Sequence, residues 1–555
     1  MSIRPRSGVQ IPPLTARVAR ASNPRGTTAI WVRDRLDGLW RDEDFVAWYP
    51  QDGRPGLSPA QLATVCVLQF LHGLSDRQAA EAVRCRIDFK YALGLELDDP
   101  GFHHSVLSDF RDRLAQGDRA DALLDLMLER LRTAGLVKER GRQRTDSTYV
   151  LSTARELTRL ELVTEAVRAA LEELARDATE MLDGLVTAEW GERYGRPVRM
   201  CSQPSHPVAR LTQTGLDARD LLGRFQENRP GQVLGPMLEV LRQIMVQHFV
   251  VDARGQLRPR TERDGLAPAR IRIESPYETE ARWVRRGNTR WTGYLTHVTE
   301  TCGETSINVI TDVATVASAA DSTALPGIHA RLRHRRLLPA QHLVDGGYTS
   351  VALLDAAARD HRIDLVGPLN RGNPQKSRRE KGFAREDFTI DFDQRQVTCP
   401  AGQTSRTWLE PPAMAPYTVV RFHARQCDPC PQRTSCAPGL SARTVNFLPR
   451  HLHELLIRHR ADQHDHEWRR LYASRSGVEG TVNEFVNNHQ MRRCRYRGLA
   501  RTHVQHVLTA IAVNIERLAQ QEPATSTHRP RRPTMFQQYL EARGLPRPLW
   551  WRQGK

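Results

Sequence analysis

Residues 472–518 read YASRSGVEGTVNEFVNNHQMRRCRYRGLARTHVQHVLTAIAVNIERL, and the rest of the chain is organised around them. Tyr472, Arg475 and Glu479 are spaced three and then four apart, which on a helix sets them on one face. Val478, Val482 and Phe485 repeat at four and three, so a neighbouring face is apolar and packs on a core. Gly477 and Gly480 flank the glutamate. Each costs a helix roughly 1 kcal/mol relative to Ala, and close approach of another backbone or a ligand is a reason to keep them. Then come Arg492, Arg493, Arg495, Arg497 and Arg501, with no acidic residue between Glu484 and Glu516. One carboxylate beside a dense positive field suits a phosphodiester with a metal ion between it and the protein. The plain alternative is a solvated helix with a stray glutamate.

The totals point the same way. The chain has 555 residues, 81 Lys+Arg against 64 Asp+Glu, and a net charge of +17. That length predicts several domains or one large domain with insertions. The excess of base favours a polyanion as partner. The basic residues are almost all Arg, which suits bidentate phosphate contact or reflects a GC-rich coding sequence. The basic residues are spread along the chain and no long uncharged apolar run is present, which disfavours a membrane. The N-terminus lacks the apolar core of a signal peptide. Nine Cys in so long a chain do not indicate a disulfide framework. The expected location is a bacterial cytoplasm, in association with the nucleoid.

In chain order, residues 1–45 are rich in Arg and Pro and read as a basic arm with little structure. Residues 46–138 are helical. Ser58-Pro59 reads as a cap and first helical residue, and Ser75 with Gln78 as a capping box. These helices fit a helix-turn-helix type DNA reader or a plain bundle used for packing. Residues 139–150 hold a short strand with Asp146, and 151–285 a mainly helical insertion interrupted by polar, Arg/Pro-rich segments. Residues 288–315 switch to a two-residue period and read as a hairpin with its turn at Gly303-Glu304. A helix with Arg331, Arg333, Arg335 and Arg336 follows, then a strand ending at Asp345-Gly-Gly, a helix and another strand. This is a mixed α/β sheet, in which function sits at strand ends. Residues 371–450 form a Cys-rich β insertion after a basic linker, 451–469 a connecting helix, and 521–555 a basic tail.

Asp146, Asp345 and Glu479 come from three distant places, and hard oxygen donors of this type bind Mg²⁺. Each alone is more simply a surface or capping carboxylate. Cys399, Cys427, Cys430 and Cys436 are consistent with a tetrahedral structural zinc site, against four reduced thiols packed in a small β insertion. Cys66, Cys85, Cys201, Cys302 and Cys494 read as core or incidental. His451, His453, His459, His464 and His466 read as a solvated helix face, and Asn514 carries no assigned role.

RTDSTYVL, WTGYLTHVTET, HLVDGGYTS, the Cys-rich insertion and YASRSGVEGT…RRCRYRGLARTHVQHVLTA occur in one order over most of residues 46–518. Together they resemble bacterial insertion-sequence transposases of the DDE type, and in particular the insertion-sequence eleven-eighty-two family. The resemblance implies an α/β fold: a ribonuclease-H-like catalytic core made of 139–150, 286–370 and 470–520, with a helical insertion and a small Cys-rich β insertion, preceded by an all-α N-terminal domain. It implies Asp146, Asp345 and Glu479 as the three acids, holding Mg²⁺ or Mn²⁺. Tyr472, Arg475 and Glu479 are similar to the Tyr-x2-Arg-x3-Glu signature, in which the arginine contacts phosphate near the cut. Glu484 is the rival third acid, but lies on a different helical face. Val486 and Leu295 stand where related sequences carry Lys. The expected partner is double-stranded DNA, transposon ends and target, bound by a homodimer. The 46–138 helices would recognise the ends, with the arginines at 331–336 and 492–501 positioning phosphates rather than reading bases. The expected activity is cutting of the ends and joining of the 3′-hydroxyl to target. The alternatives are a nuclease that cuts and never joins, and a catalytically impaired remnant that only binds DNA.

Overall fold

The computed structural model describes the chain apart from residues 1–4, 6–9, 37–38, 51, 154–155, 199–204, 304–306, 318–319, 370–381, 413–415, 438–441, 522–532 and 546–555. Glu304 of the expected hairpin turn, most of the basic linker and much of the C-terminal tail lie outside the described residues.

Helices come first: α1 (Pro13–Ser22), α2 (Thr28–Leu36), a 3-10 turn (Asp42–Trp48), α3 (Pro59–Leu71), α4 (Asp76–Cys85), α5 (Ile87–Leu93), α6 (Ser105–Leu114) and α7 (Arg119–Thr133). Local chemistry starts two of them where the sequence predicts. The Ser58 hydroxyl accepts from the Gln61 N–H ahead of α3, and Ser75 and Gln78 cap α4 reciprocally. The expected unstructured arm is corrected. Leu39, Trp40 and Phe45 are buried in the same core as α3, α6 and α7, and the Trp40 indole donates to the Leu123 carbonyl. Three large apolar side chains anchor a run whose average composition is polar.

After β1 (Arg142–Leu151) comes an insertion of α8 (Arg159–Asp177), α9 (Ala188–Tyr194), α10 (Pro207–Asn228) and α11 (Pro236–His248), closed by a small hairpin, β2 (Phe249–Val251) and β3 (Leu257–Pro259). Its separate core includes Val163, Val167, Leu221, Leu241 and Ile244. Helices α9 and α10 lie where the sequence predicts only polar segments. Leu211, Ala218, Leu221 and Phe225 of α10 are buried, a stripe obscured by interleaved Arg and Asp.

The main sheet is completed by β4 (Arg282–Arg286), β5 (Thr289–Thr301), β6 (Ile310–Val316), β7 (Gln341–Leu343) and β8 (Asp364–Val366). The strand order is β4-β5-β1-β7-β8, with β6 also on β5. Strand β5 is long enough to pair antiparallel with β4 along its first half and with β6 along its second, and it pairs with β1 on its other edge. The steps β1–β7 and β7–β8 are parallel. Parallel neighbours need a crossover; α12 (Leu325–His334) precedes β7, and α13 (Val351–His361) links β7 to β8.

The Cys-rich segment holds two antiparallel pairs, β9 (Thr389–Asp391) with β10 (Gln396–Thr398) and β11 (Thr418–Arg421) with β12 (Thr444–Phe447). The chain ends in α14 (Arg450–Asp462), α15 (His466–Ala473), a 3-10 turn (Ser474–Ser476), α16 (Gly477–Asn487), α17 (Leu499–Gln521) and α18 (Met535–Ala542). Among the described residues no helix is long and apolar enough to cross a membrane.

Helix α17 joins the two halves. It packs on α3 and α7 on one side and β6 on the other. Val507, Leu508, Ile511 and Ile515 share one apolar cluster with Leu68, Leu107 and Leu128. Asn514, given no role from sequence, accepts from the Ile310 N–H (2.8 Å) and donates to its carbonyl (3.0 Å), riveting α17 to β6. The N-terminal helices are therefore continuous with the sheet's core.

A polar seam reinforces this contact and corrects an expectation. Arg335 is buried and bonds Asp121 (2.8 Å) and Asp125 (2.5 Å) of α7 and Asp312 of β6. Arg331 also pairs with Asp312, at 2.8 Å. Neither side chain can reach a phosphate without abandoning a buried carboxylate. Residues 322–344 contain no acid, so the sequence showed the cations without their partners. Arg335→Ala removes the one cation shared by three facing carboxylates, leaving Asp312 to Arg331 and Asp121 to His503. It is expected to cost about 3–5 kcal/mol, read as a fall in the urea midpoint; a shift under about 1 kcal/mol would mean the seam is solvated.

Candidate active site

Asp146 lies in the middle of β1, opposite Val298 of β5. Asp345 follows β7, with the Gly347 N–H donating to its Oδ1 at 2.8 Å. Because β7 runs parallel beside β1, the two aspartates come from adjacent strands. Glu479 stands in the first turn of α16, where the helix dipole favours an anion. Arg475 bridges the acids. Its Nη2 is 2.5 Å from Glu479 and its Nη1 is 3.5 Å from Asp146. Its guanidinium lies over the Tyr472 ring, 5.9 Å from the centroid, and Tyr472 stacks on Trp468. The fold thus brings Asp146, Asp345, Tyr472, Arg475 and Glu479 to one place.

Burial pushes the Asp146 carboxyl up to about 6, with the charges of Asp345 and Glu479 adding to it. The Ser147 N–H and the Arg475 cation pull the other way without winning. Arg475 is thus an internal counter-ion, a role the phosphate-contact expectation did not include.

A second carboxylate cluster sets the position of α16. Glu300 on β5 is fully buried and bonds Arg144 of β1 (2.6 Å), Arg517 of α17 (2.9 Å) and the Thr481 hydroxyl of α16 (2.6 Å). Arg144 also donates to the Ser474 carbonyl at 2.7 Å. A Cβ on Gly477 would stand 2.0 Å from the Arg144 guanidinium, so this glycine admits the cation. Gly480 faces open space. Glu484 is held by Arg517 at 2.6 Å, away from Asp146. No local sequence signal marks Glu300 or Arg144, whose partners lie 156 to 330 residues away.

Three carboxylates are a donor set suited to Mg²⁺ or Mn²⁺, and burial with two neighbouring carboxylates raises Asp146. Among the described residues no three His, Cys, Asp or Glu side chains already converge on one ion position. Arg475 stands in the gap instead.

The arginines expected to meet DNA divide into two groups. Arg333, Arg336, Arg493, Arg495, Arg497 and Arg501 are exposed, whereas Arg331 and Arg492 are half-buried and Arg335 is buried. Arg492 lies over the Tyr149 ring at 4.4 Å and Arg497 over Tyr277 at 6.0 Å. Arg495 donates to the Leu74 carbonyl (2.9 Å) and Arg501 pairs with Asp112 (2.8 Å), which ties this run to the N-terminal helices. Leu295 is buried with Val284 and Trp291, so that position serves packing. Val486 is half-buried on α16.

Cys399, Cys427, Cys430 and Cys436 line one cavity of about 30 Å³. The Gln403 N–H donates to the Cys399 sulfur at 3.4 Å. Burial, with the other three cysteines adding, pushes the Cys436 thiol up. Cys66 and Cys302 are buried, Cys85 is exposed and Cys494 half-buried; Cys201 lies outside the described residues. The expected solvated histidine face is corrected at His459, which is buried and bonds the Gly367 carbonyl at 2.7 Å.

A family model described as "Transposase DDE domain" matches residues 398–519, and one described as "Transposase domain (DUF772)" matches residues 19–113. Compared with curated proteins and with solved structures, the chain matches none.

An acid whose folded pKa is raised stabilises the fold below its unfolded value, and that stability is lost as pH rises through the folded value. For Asp146 the window runs from about 4 to about 6. In chelator, Asp146→Asn is expected to match wild type near pH 4 and to exceed it above pH 7, by up to about 3 kcal/mol, read by urea unfolding at both pH values. A gap independent of pH would contradict burial as the cause.

Proposed function

As an insertion-sequence DDE transposase, which the two matching transposase domains make this chain, we propose that it cuts transposon ends and joins the released 3′-hydroxyl to target DNA. Asp146, Asp345 and Glu479 would hold divalent ions, Mg²⁺ or Mn²⁺. Two such ions, when bound, activate the attacking oxygen and relieve charge on the leaving oxygen of a phosphodiester. The chain's own part is positional. Strands β1 and β7 orient two carboxylates, α16 delivers the third, and Arg475 stands within reach of a phosphate at the same place. The exposed Arg333, Arg336 and Arg493 would hold the DNA backbone. A homodimer would hold two ends, because both must be cut and joined together.

The observation that carries this reading is the approach of Asp146, Asp345 and Glu479 from positions up to 333 residues apart, with Asp146 raised by burial first and by the charges of the other two in addition. The strand order, antiparallel on one side of β1 and parallel on the other, supports a ribonuclease-H-like core. The motif order supports the insertion-sequence eleven-eighty-two family within the larger class. Leu295 packs with Val284 and Trp291, which gives that position a structural use.

Cleavage of cognate ends in Mg²⁺ or Mn²⁺ is expected to fall by more than about a hundredfold in Asp345→Asn, beyond what loss of an outer partner causes. Pre-cut ends are expected to be joined to target. Cleavage surviving Asp345→Asn overturns the ligand assignment, and cutting without joining leaves a nuclease.

The four cysteines of the β insertion would hold a structural zinc, a soft tetrahedral donor set with no open position for chemistry. One zinc per chain is expected in protein purified without chelator, absent from the Cys427→Ser/Cys430→Ser variant. Metal-free wild type with four titratable thiols here would establish reduced cysteines instead.

A further inference from the structure

Asp321 opens the 3-10 turn between β6 and α12, and only 6 % of its side chain is exposed. Its Oδ1 accepts the Ser147 hydroxyl at 2.8 Å, and its Oδ2 accepts Arg286 of β4 at 2.8 Å. Ser147 is the residue after Asp146, and its N–H donates to Asp146 Oδ1 at 2.8 Å. On the other side, Asp321 presses on the turn that carries Asp345. A Cβ on Gly347 would lie 2.7 Å from Asp321 Oδ2 and 3.0 Å from Asp345 Oδ1. The next residue, Tyr348, is fully buried and bonds His297 Nδ1 at 2.6 Å, while His297 Nδ1 is 3.9 Å from Asp321.

We propose that Asp321, paired with Arg286, is a positioning residue that fixes the Asp146 and Asp345 carboxylates relative to one another. The proposal rests on the assignment of those two aspartates as metal ligands. Asp321 grips β1 through Ser147, β4 through Arg286, and the Asp345-Gly-Gly turn through direct packing. Strand β7 contributes only three residues to the sheet, so its C-terminal turn has little strand of its own to orient it. A buried carboxylate held by two donors from other strands supplies the missing constraint. It is not a ligand itself, because each of its oxygens already has a partner and Arg286 balances its charge. Gly347 is required because a side chain there would separate Asp321 from Asp345.

The test is Mn²⁺ binding to the full chain, followed by electron paramagnetic resonance without DNA, together with the Mn²⁺ dependence of end cleavage. Asp321→Asn and Arg286→Gln are each expected to weaken binding by about tenfold or more. The double variant is expected to be no worse than the weaker single, since both break one device. Cleavage at saturating Mn²⁺ is expected to return to within a few-fold of wild type. Ser147→Ala, which removes one hydroxyl and keeps the buried ion pair, is expected to shift binding the same way by less, and it keeps the test open if Asp321→Asn fails to fold. Tighter or unchanged binding in Arg286→Gln overturns the proposal, because it makes Asp321 a ligand or a bystander. Unchanged binding in Asp321→Asn, with loss in Asp345→Asn, overturns the proposal and leaves the metal site standing. No loss in Asp345→Asn removes both.

Discussion

Glu300 has no access to water, and that single constraint organises the side of the molecule where Asp146, Asp345 and Glu479 lie. A carboxylate buried without a partner costs several kcal/mol, so the fold must deliver cations to it. Arg144 arrives from β1 and Arg517 from α17, and the Thr481 hydroxyl arrives from α16. Three elements are thereby pinned to β5 at one point. Arg144 then reaches past Glu300 to the Ser474 carbonyl, just ahead of α16, through the space that Gly477 leaves open. The helix that carries Glu479 is held by a charge it does not own. Glu479 and Arg475 inherit their reach toward Asp146 from that attachment.

The same economy governs the other arginines. A net charge of +17 predicts a polyanion partner, yet several of the cations are engaged by the chain's own carboxylates and carbonyls. Arg335 and Arg331 satisfy Asp312, and Arg335 also satisfies Asp121 and Asp125 across the boundary with the N-terminal helices. Arg501 and Arg495 tie the stretch after α16 to the same helices. Together with the apolar face of α17, these contacts make the N-terminal helices and the sheet one body. Arg suits this work because its planar fork bonds carboxylates on two edges.

Features set by neighbours in sequence were legible. Ser58-Pro59 and the Ser75/Gln78 box start helices because their partners lie within one turn. The alternation of 291–302 gives β5, and the three-four spacing of Tyr472, Arg475 and Glu479 survives the 3-10 turn at Ser474–Ser476. Features set by distant partners were not. Arg335 reads as surface charge because Asp121 and Asp125 are more than 200 residues away. Asp321 carries no local signal because its partners Ser147 and Arg286 come from other strands. The β4 strand RWVRR hides because its arginines mask the alternation, and α10 hides because charged residues fill the gaps in its apolar stripe. The first two acids needed the strand order, which no local pattern contains.

Charge balance also sets the cost of bringing the three acids to one place. Two carboxylates about 4 Å apart repel by roughly 4 kcal/mol at an effective dielectric of 20, and burial raises that cost for Asp146. The chain answers with Arg475, one cation bonded to Glu479 and facing Asp146. That cation lowers Asp146 without offsetting its burial and the two neighbouring charges, and the carboxyl stands near 6. Asp345 has the Gly347 N–H on one oxygen and no comparable cation bonded to it among the described contacts. The site is therefore short of positive charge on the side of the two strands, between Asp146 and Asp345, and better supplied on the side of the helix. A cation entering the site gains most from the strand side, where Asp321 and Ser147 hold the geometry.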